Sequence, residues 1–143
     1  MLSKAVVLLS TVALGYGTNS YISLYTILKL AALWAAVSAA AGTKPMAVVL
    51  IHGGAVAVPE VAASAAGILD AFYPGTLGGP AIADALFGEY NPGGKLPYDI
   101  YDASYQAVSF LDMSVASLGR TYRYYTGPST PGGAPLWPFG FGG

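Results

Sequence analysis

Tyr73-Pro74-Gly75-Thr76-Leu77-Gly78-Gly79-Pro80-Ala81-Ile82-Ala83-Asp84-Ala85-Leu86-Phe87-Gly88-Glu89-Tyr90-Asn91-Pro92-Gly93-Gly94-Lys95-Leu96-Pro97 reads as strand end, turn, helix, stop, turn. Pro74-Gly75 punctuates a turn after the apolar run 67–73. Gly78-Gly79-Pro80 opens a helix, because a first-turn proline lacks only an N–H that has no helical partner there. Ile82, Leu86 and Phe87 recur at helical spacing and are expected to face a core. Gly88 supplies the stop, and Asn91-Pro92-Gly93-Gly94 a second turn.

Upstream, Met46-Ala47-Val48-Val49-Leu50-Ile51 reads as a short buried strand with His52-Gly53-Gly54 as the turn at its C-terminal end. Residues 60–66 read as a short helix or crossover. Residues 21–41 could be taken for a membrane span, but Lys29 lies inside the run, and a mid-bilayer lysine costs roughly 2.5–3.5 kcal/mol. Ile27, Leu30, Leu33 or Trp34, Val37 and Ala41 form a one-sided stripe, which favours an amphipathic helix packed on a sheet. Gly42 and Pro45 end it. Residues 5–14 are apolar and β-branched. A signal peptide and a buried parallel strand compete for them; the order of elements downstream favours the strand, and no clean cleavage site follows. Helical pieces alternating with apolar strands predict an α/β fold, a mainly parallel sheet with helices on both faces. The loops after residues 14, 51 and 73 then share the side of the strand C-terminal ends. Beyond Leu96 the chain turns aromatic and loop-rich, and no regular element is assigned. The expected division is a core over 1–97 and an extension of the same domain over 98–143.

Only 9% of the 143 residues are charged, against about 25% in a typical soluble domain. Much of the surface is therefore expected to be covered by a partner domain, further chain or lipid. The net charge is −1 with no Lys/Arg cluster, so nucleic acid has no electrostatic footprint. There is no cysteine and a single histidine, His52, which rules out disulfides and thiolate sites and leaves too few ligands for a zinc centre. Gly53-Gly54 and Gly78-Gly79 lack a following phosphate-loop Lys-Ser/Thr. No metal and no cofactor is expected.

The ordered string 73–97 resembles a signature of the C-terminal α/β sandwich domain of glycoside hydrolase family 3, the exo-acting β-glucosidases and β-xylosidases. The resemblance runs from about Lys44 to Gly142. It includes Val48-Val49-Leu50-Ile51-His52-Gly53-Gly54, Gly119-Arg120-Thr121-Tyr122-Arg123-Tyr124-Tyr125 and Pro138-Phe139-Gly140-Phe141-Gly142. Ser104-Tyr105, Leu111-Asp112-Met113 and Tyr124-Tyr125-Thr126-Gly127 are more similar to the β-xylosidase branch. Residues 1–43 match in pattern alone. The resemblance implies a retaining mechanism, a carbohydrate substrate, a secreted or extracellular location, and a preceding barrel-like domain that carries the nucleophilic aspartate. That domain is missing from this sequence.

Retaining hydrolysis needs two carboxylates about 5–5.5 Å apart. In the family the loop after the first strand often carries the acid/base glutamate. Here Gly15-Tyr16-Gly17-Thr18-Asn19-Ser20-Tyr21-Ile22-Ser23-Leu24 holds no Asp, Glu or Arg. None of Glu60, Asp70, Asp84, Glu89, Asp99, Asp102 and Asp112 takes its place, so no catalytic residue is assigned. His52, Gly53 and Gly54 are the candidate substrate-side residues, since open α/β sheets bind ligands beyond strand C-terminal ends. Lys95, Arg120 and Arg123 are candidates for structural ion pairs. The tail tyrosines and Trp137 are expected to fasten the tail to its own sheet rather than stack on sugar. Two rival classes stand beside this reading: a non-catalytic carbohydrate-binding or interaction module, and a small protein anchored in a membrane by residues 5–41.

Overall fold

In the computed structural model the described residues are 5–10, 20–101, 105, 108–109, 111–115, 119, 121–125 and 133–142, with backbone alone for 5–10 and 20–30. The chain divides into two units, Met1–Tyr90 and Asn91–Gly143.

The first unit is built on β1 (Ala5–Ser10), α1 (Ser20–Ala41), β2 (Met46–Ile51), α2 (Pro59–Ser64), β3 (Gly67–Asp70) and α3 (Gly78–Phe87). The strands form one parallel sheet in the order β1-β2-β3. Register runs from Ala5↔Met46 to Ser10↔Ile51 on one side of β2 and from Ala47↔Gly67 to Leu50↔Asp70 on the other. The α/β class and the parallel sheet expected from sequence are therefore present. Residues 11–14, expected to continue β1, lie outside the described residues. Val48 and Val49 point to opposite faces of β2, and both are 0% exposed. Both faces of the central strand are thus covered, as its unbroken apolar run requires.

Consecutive strand order together with right-handed crossovers sends α1 and α2 to the same face of the sheet. They meet there: Trp34 Nε1 donates to Ser64 Oγ at 2.9 Å, and Ser64 Oγ donates to the Glu60 carbonyl at 2.8 Å. The sequence left Leu33 and Trp34 open for the packed face; Trp34 is buried and Leu33 is largely exposed. Gly42 ends α1 at φ +62°, its N–H donating to the Ser38 carbonyl, a left-handed stop that glycine adopts without penalty. Gly88 ends α3 in the same way at φ +86°, and the Asp84 carbonyl accepts the N–H groups of Gly88, Glu89 and Tyr90. Phe87 departs from expectation, being 67% exposed. At 3.6 residues per turn it lies about 140° around the helix from Ile82, too far to share its face. Among the described residues no helix is long and apolar enough to cross a membrane.

The second unit is closed by an antiparallel pairing that the sequence did not announce. Ile100 bridges Trp137, the Ile100 N–H donates to the Trp137 carbonyl at 2.8 Å, and the Leu96 N–H donates to the Phe141 carbonyl at 2.9 Å. Asp99 reinforces the pairing by accepting the Phe139 N–H at 2.6 Å and the Tyr101 hydroxyl at 2.8 Å. Tyr101 stacks on Tyr105 with centroids 4.2 Å apart, and Tyr125 meets both edge-on. Tyr122 stacks on Phe139 at 4.0 Å. Edge-on and offset rings are the favoured aromatic geometries, and here the tail aromatics hold one another.

Candidate functional site

Parallel pairing places the C-terminal ends of β2 and β3 side by side. The ladder continues one step past β2, where the His52 N–H donates to the Phe72 carbonyl at 3.1 Å. Alternation along the strands then sets Leu50 and His52 on the same face as Asp70 and Phe72. Because that face is core-side at Leu50, His52 is drawn in with it. Its imidazole is 0% exposed, with Nε2 3.1 Å from Asp70 Oδ1. The contact lies outside the directional range of a hydrogen bond and is a close polar approach of ring nitrogen to carboxylate oxygen. Nδ1 has no partner among the described residues. The Phe72 ring covers the imidazole, with centroids 5.4 Å apart.

Asp70 also accepts the Phe72 N–H at 3.3 Å, reaching two residues ahead along the chain. Phe72 itself sits at φ +50° and is the one non-glycine residue with positive φ among those described. A bulky residue in that region costs roughly 1–3 kcal/mol and persists where its surroundings impose it. Here the ladder bond from His52, the Asp70 carboxylate and the ring contact do so. Just beyond, the Tyr73 ring lies over Gly53: a Cβ at Gly53 would come 2.5 Å from Tyr73 Cε2 and 2.6 Å from Tyr73 Oη. Gly53 is therefore required for the ring to lie where it does. Tyr73 remains 66% exposed, and Gly53 and Gly54 are exposed as well.

The structure thus brings His52, Gly53, Asp70, Phe72 and Tyr73 together. Gly54 adjoins them in the turn. The sequence points to the turn 52–54 and gives Asp70 no catalytic role, and it does not pair the two. The pairing follows from the register: Asp70 ends β3 opposite Leu50, and His52, two residues past Leu50 on the neighbouring strand, lies on the same face.

The other acids are scattered. Glu60 lies in the first turn of α2, Asp84 lies on α3 and Glu89 follows it, all three exposed. Asp99 is engaged in the second unit as described, and Asp112 accepts the Ser114 N–H at 2.9 Å. Asp102 and residues 15–19 of the loop 15–24 lie outside the described residues, while 20–24 form the first turns of α1. Among the described residues no three His, Cys, Asp or Glu side chains come together as metal ligands. Lys95 Nζ donates to the Gly142 carbonyl, tying the two ends of the second unit through a neutral acceptor. Arg123 is exposed, and Arg120 lies outside the described residues. Burial, and then the hydrogen bond to Asp99 and the charge of that carboxylate, hold the Tyr101 phenol well above the usual tyrosine range.

Residues 24–143 match the family model described as the glycosyl hydrolase family 3 C-terminal domain. The chain is 43% identical over 102 residues to a xylan 1,4-beta-xylosidase of Xylanibacter ruminicola, covering 71% of this chain and 11% of that protein. It is 42% identical over 117 residues to beta-D-xylosidase 1 of Arabidopsis thaliana, covering 73% and 14%. It is 37% identical over 105 residues to a periplasmic beta-glucosidase of Salmonella typhimurium, covering 69% and 14%. The chain thus spans 11–14% of the length of these relatives. No solved structure matches it.

Proposed function

The chain belongs to the glycosyl hydrolase family 3 C-terminal domain family, and on that premise we propose that it is the second domain of an exo-acting retaining β-glycosidase, acting on terminal β-linked xylosyl or glucosyl units. The observation that carries this reading is the disparity in coverage: about seven-tenths of the chain aligns at 43% identity with a stretch only 11% as long as the xylosidase it resembles. In this reading the nucleophile belongs to a preceding barrel domain, and the present chain supplies part of the wall of the sugar pocket. The face at the C-terminal ends of β2 and β3, with the turn His52-Gly53-Gly54, is the side turned to substrate. Ligands of open α/β sheets lie beyond that edge.

The complete domain has helices on both faces of its sheet, with residues 98–143 as an extension of the 1–97 core, and the complete enzyme works outside the cell. Lys95, Arg120 and Arg123 serve structure rather than substrate. With neither catalytic carboxylate assigned, the chain by itself does not hydrolyse glycosides.

A segment exchange tests the proposal. Residues 44–142 replace the homologous stretch of the Xylanibacter ruminicola xylosidase, and the chimera is assayed on an aryl β-xyloside. A folded chimera that retains turnover supports the reading. A folded chimera with no turnover overturns it.

A further inference from the structure

The carboxylate of Asp70 is held asymmetrically. Both contacts fall on one oxygen: Oδ1 faces His52 Nε2 at 3.1 Å and accepts the Phe72 N–H at 3.3 Å. Oδ2 has no partner among the described residues. A carboxylate has lone pairs on both oxygens, so pinning Oδ1 from two sides fixes the plane of the group and leaves Oδ2 as a preset acceptor. The side chain is 19% exposed, enough for one small polar group to reach it. His52 is fully buried behind it and cannot touch a ligand. Phe72 is held at φ +50° directly after it, and backbone forced into this region collects at ligand sites. The exposed Tyr73 ring, lying over Gly53 on the same strand-end edge, offers a flat apolar surface.

We propose that Asp70 Oδ2 is a hydroxyl acceptor for a pyranose at this edge, and that His52 is the positioning residue that orients its carboxylate. The proposal rests on the reading of this edge as the substrate side. A hydroxyl donating to a carboxylate makes a charge-assisted bond roughly twice as strong as one to a neutral oxygen. The C–H face of a sugar ring matches the Tyr73 surface. A negative acceptor also turns away phosphate and carboxylate ligands, which selects for neutral polyols. The direct contact at this site therefore comes from Asp70, a residue outside the turn that sequence reading singled out.

The test is a titration of the isotope-labelled chain with methyl β-D-xylopyranoside, followed by backbone amide shifts and by the Asp70 side-chain carboxyl carbon. Saturable shifts at residues 52–54 and at the Asp70 carboxyl are expected. Asp70→Asn, which keeps the shape and loses the charge, weakens binding about five- to tenfold. His52→Gln, which keeps a polar group beside Oδ1, stays within about threefold of wild type, whereas His52→Leu falls with Asp70→Asn. If the amides at 52–54 titrate while the Asp70 carboxyl does not move and Asp70→Asn binds equally well, the inference is overturned and the reading of the edge stands. If nothing on this edge titrates, both are overturned. The carboxyl shift is read on unmodified sequence, so the result survives a variant that fails to fold.

Discussion

Two glycines with the same backbone angle provide a sharp test of the second unit. Gly42 sits at φ +62° with nothing within 4 Å of an added Cβ, whereas Gly119 sits at φ +61° with such a Cβ 1.9 Å from the Tyr124 carbonyl oxygen and 2.4 Å from its carbon. Alanine at either site incurs the left-handed penalty, about 1–2 kcal/mol. Restricting the unfolded chain offsets about 0.4–1 kcal/mol of that. Gly42→Ala should therefore cost about 1 kcal/mol net. At Gly119 the obstacle is backbone, which cannot swing aside as a side-chain tip can. The Tyr124 and Tyr125 N–H groups both donate to the Thr121 carbonyl, at 3.0 and 2.9 Å, so moving the Tyr124 peptide opens that turn and forfeits about 1 kcal/mol per bond. The total for Gly119→Ala is about 3–5 kcal/mol.

The chain has two tryptophans, Trp34 in the first unit and Trp137 in the second, so each substitution can be read through its own reporter. Gly42→Ala is measured in a Trp137→Phe background and Gly119→Ala in a Trp34→Phe background, each against its parent, by fluorescence in urea. At a slope of about 1 kcal/mol per molar urea, the midpoint should fall by about 1 M for the first and about 3 M or more for the second. Equal shifts would refute the placement of the 119–125 turn and with it the steric argument.

Other outcomes follow from the same geometry. The purified chain should not turn over aryl β-xylosides or β-glucosides. Turnover that is abolished by Asp70→Asn or Asp99→Asn would refute this and exclude a contaminating enzyme. Ser64→Ala should destabilise the first unit by about 1–3 kcal/mol, because it strands the buried Trp34 N–H, and Trp34 fluorescence in urea measures it. Raising pH should loosen the second unit. The folded Tyr101 phenol holds its proton above the unfolded value of about 10, so its contribution is complete below about pH 10 and declines as pH climbs past it. A Trp137 unfolding midpoint that stays flat from neutral pH to beyond 10, or that falls equally in Tyr101→Phe, would count against the Tyr101–Asp99 bond.

The local periodicities were legible and the cross-strand facts were not. β2 could be read because a continuous β-branched run flanked by glycine and proline has few other uses. Both helix stops could be read because glycine at φ above zero is a backbone requirement written as a residue type. Phe72 escaped because nothing in its identity signals a left-handed conformation; that conformation is imposed by the neighbouring strand and the Asp70 carboxylate. His52 was found as a turn residue but not as a buried one, since its depth depends on which face Leu50 presents. The pairing of 96–100 with 136–141 joins segments some forty residues apart through backbone groups, to which side-chain patterns are nearly blind. The Tyr101–Asp99 contact depends on that pairing and was invisible with it.

That last pairing also sets an order of assembly. The first unit holds β1 to β3 and α1 to α3 by Tyr90, so it can begin to fold while later residues are still being joined. The second unit cannot close until Phe141 exists to receive the Leu96 N–H. At about 5–20 residues per second, the synthesis of the intervening stretch takes roughly 2–9 s. Until that pairing forms, the 96–100 segment has unpaired donors and acceptors, with Ile100 uncovered beside them. The length of this vulnerable period is therefore set by the spacing between two short segments rather than by the size of either.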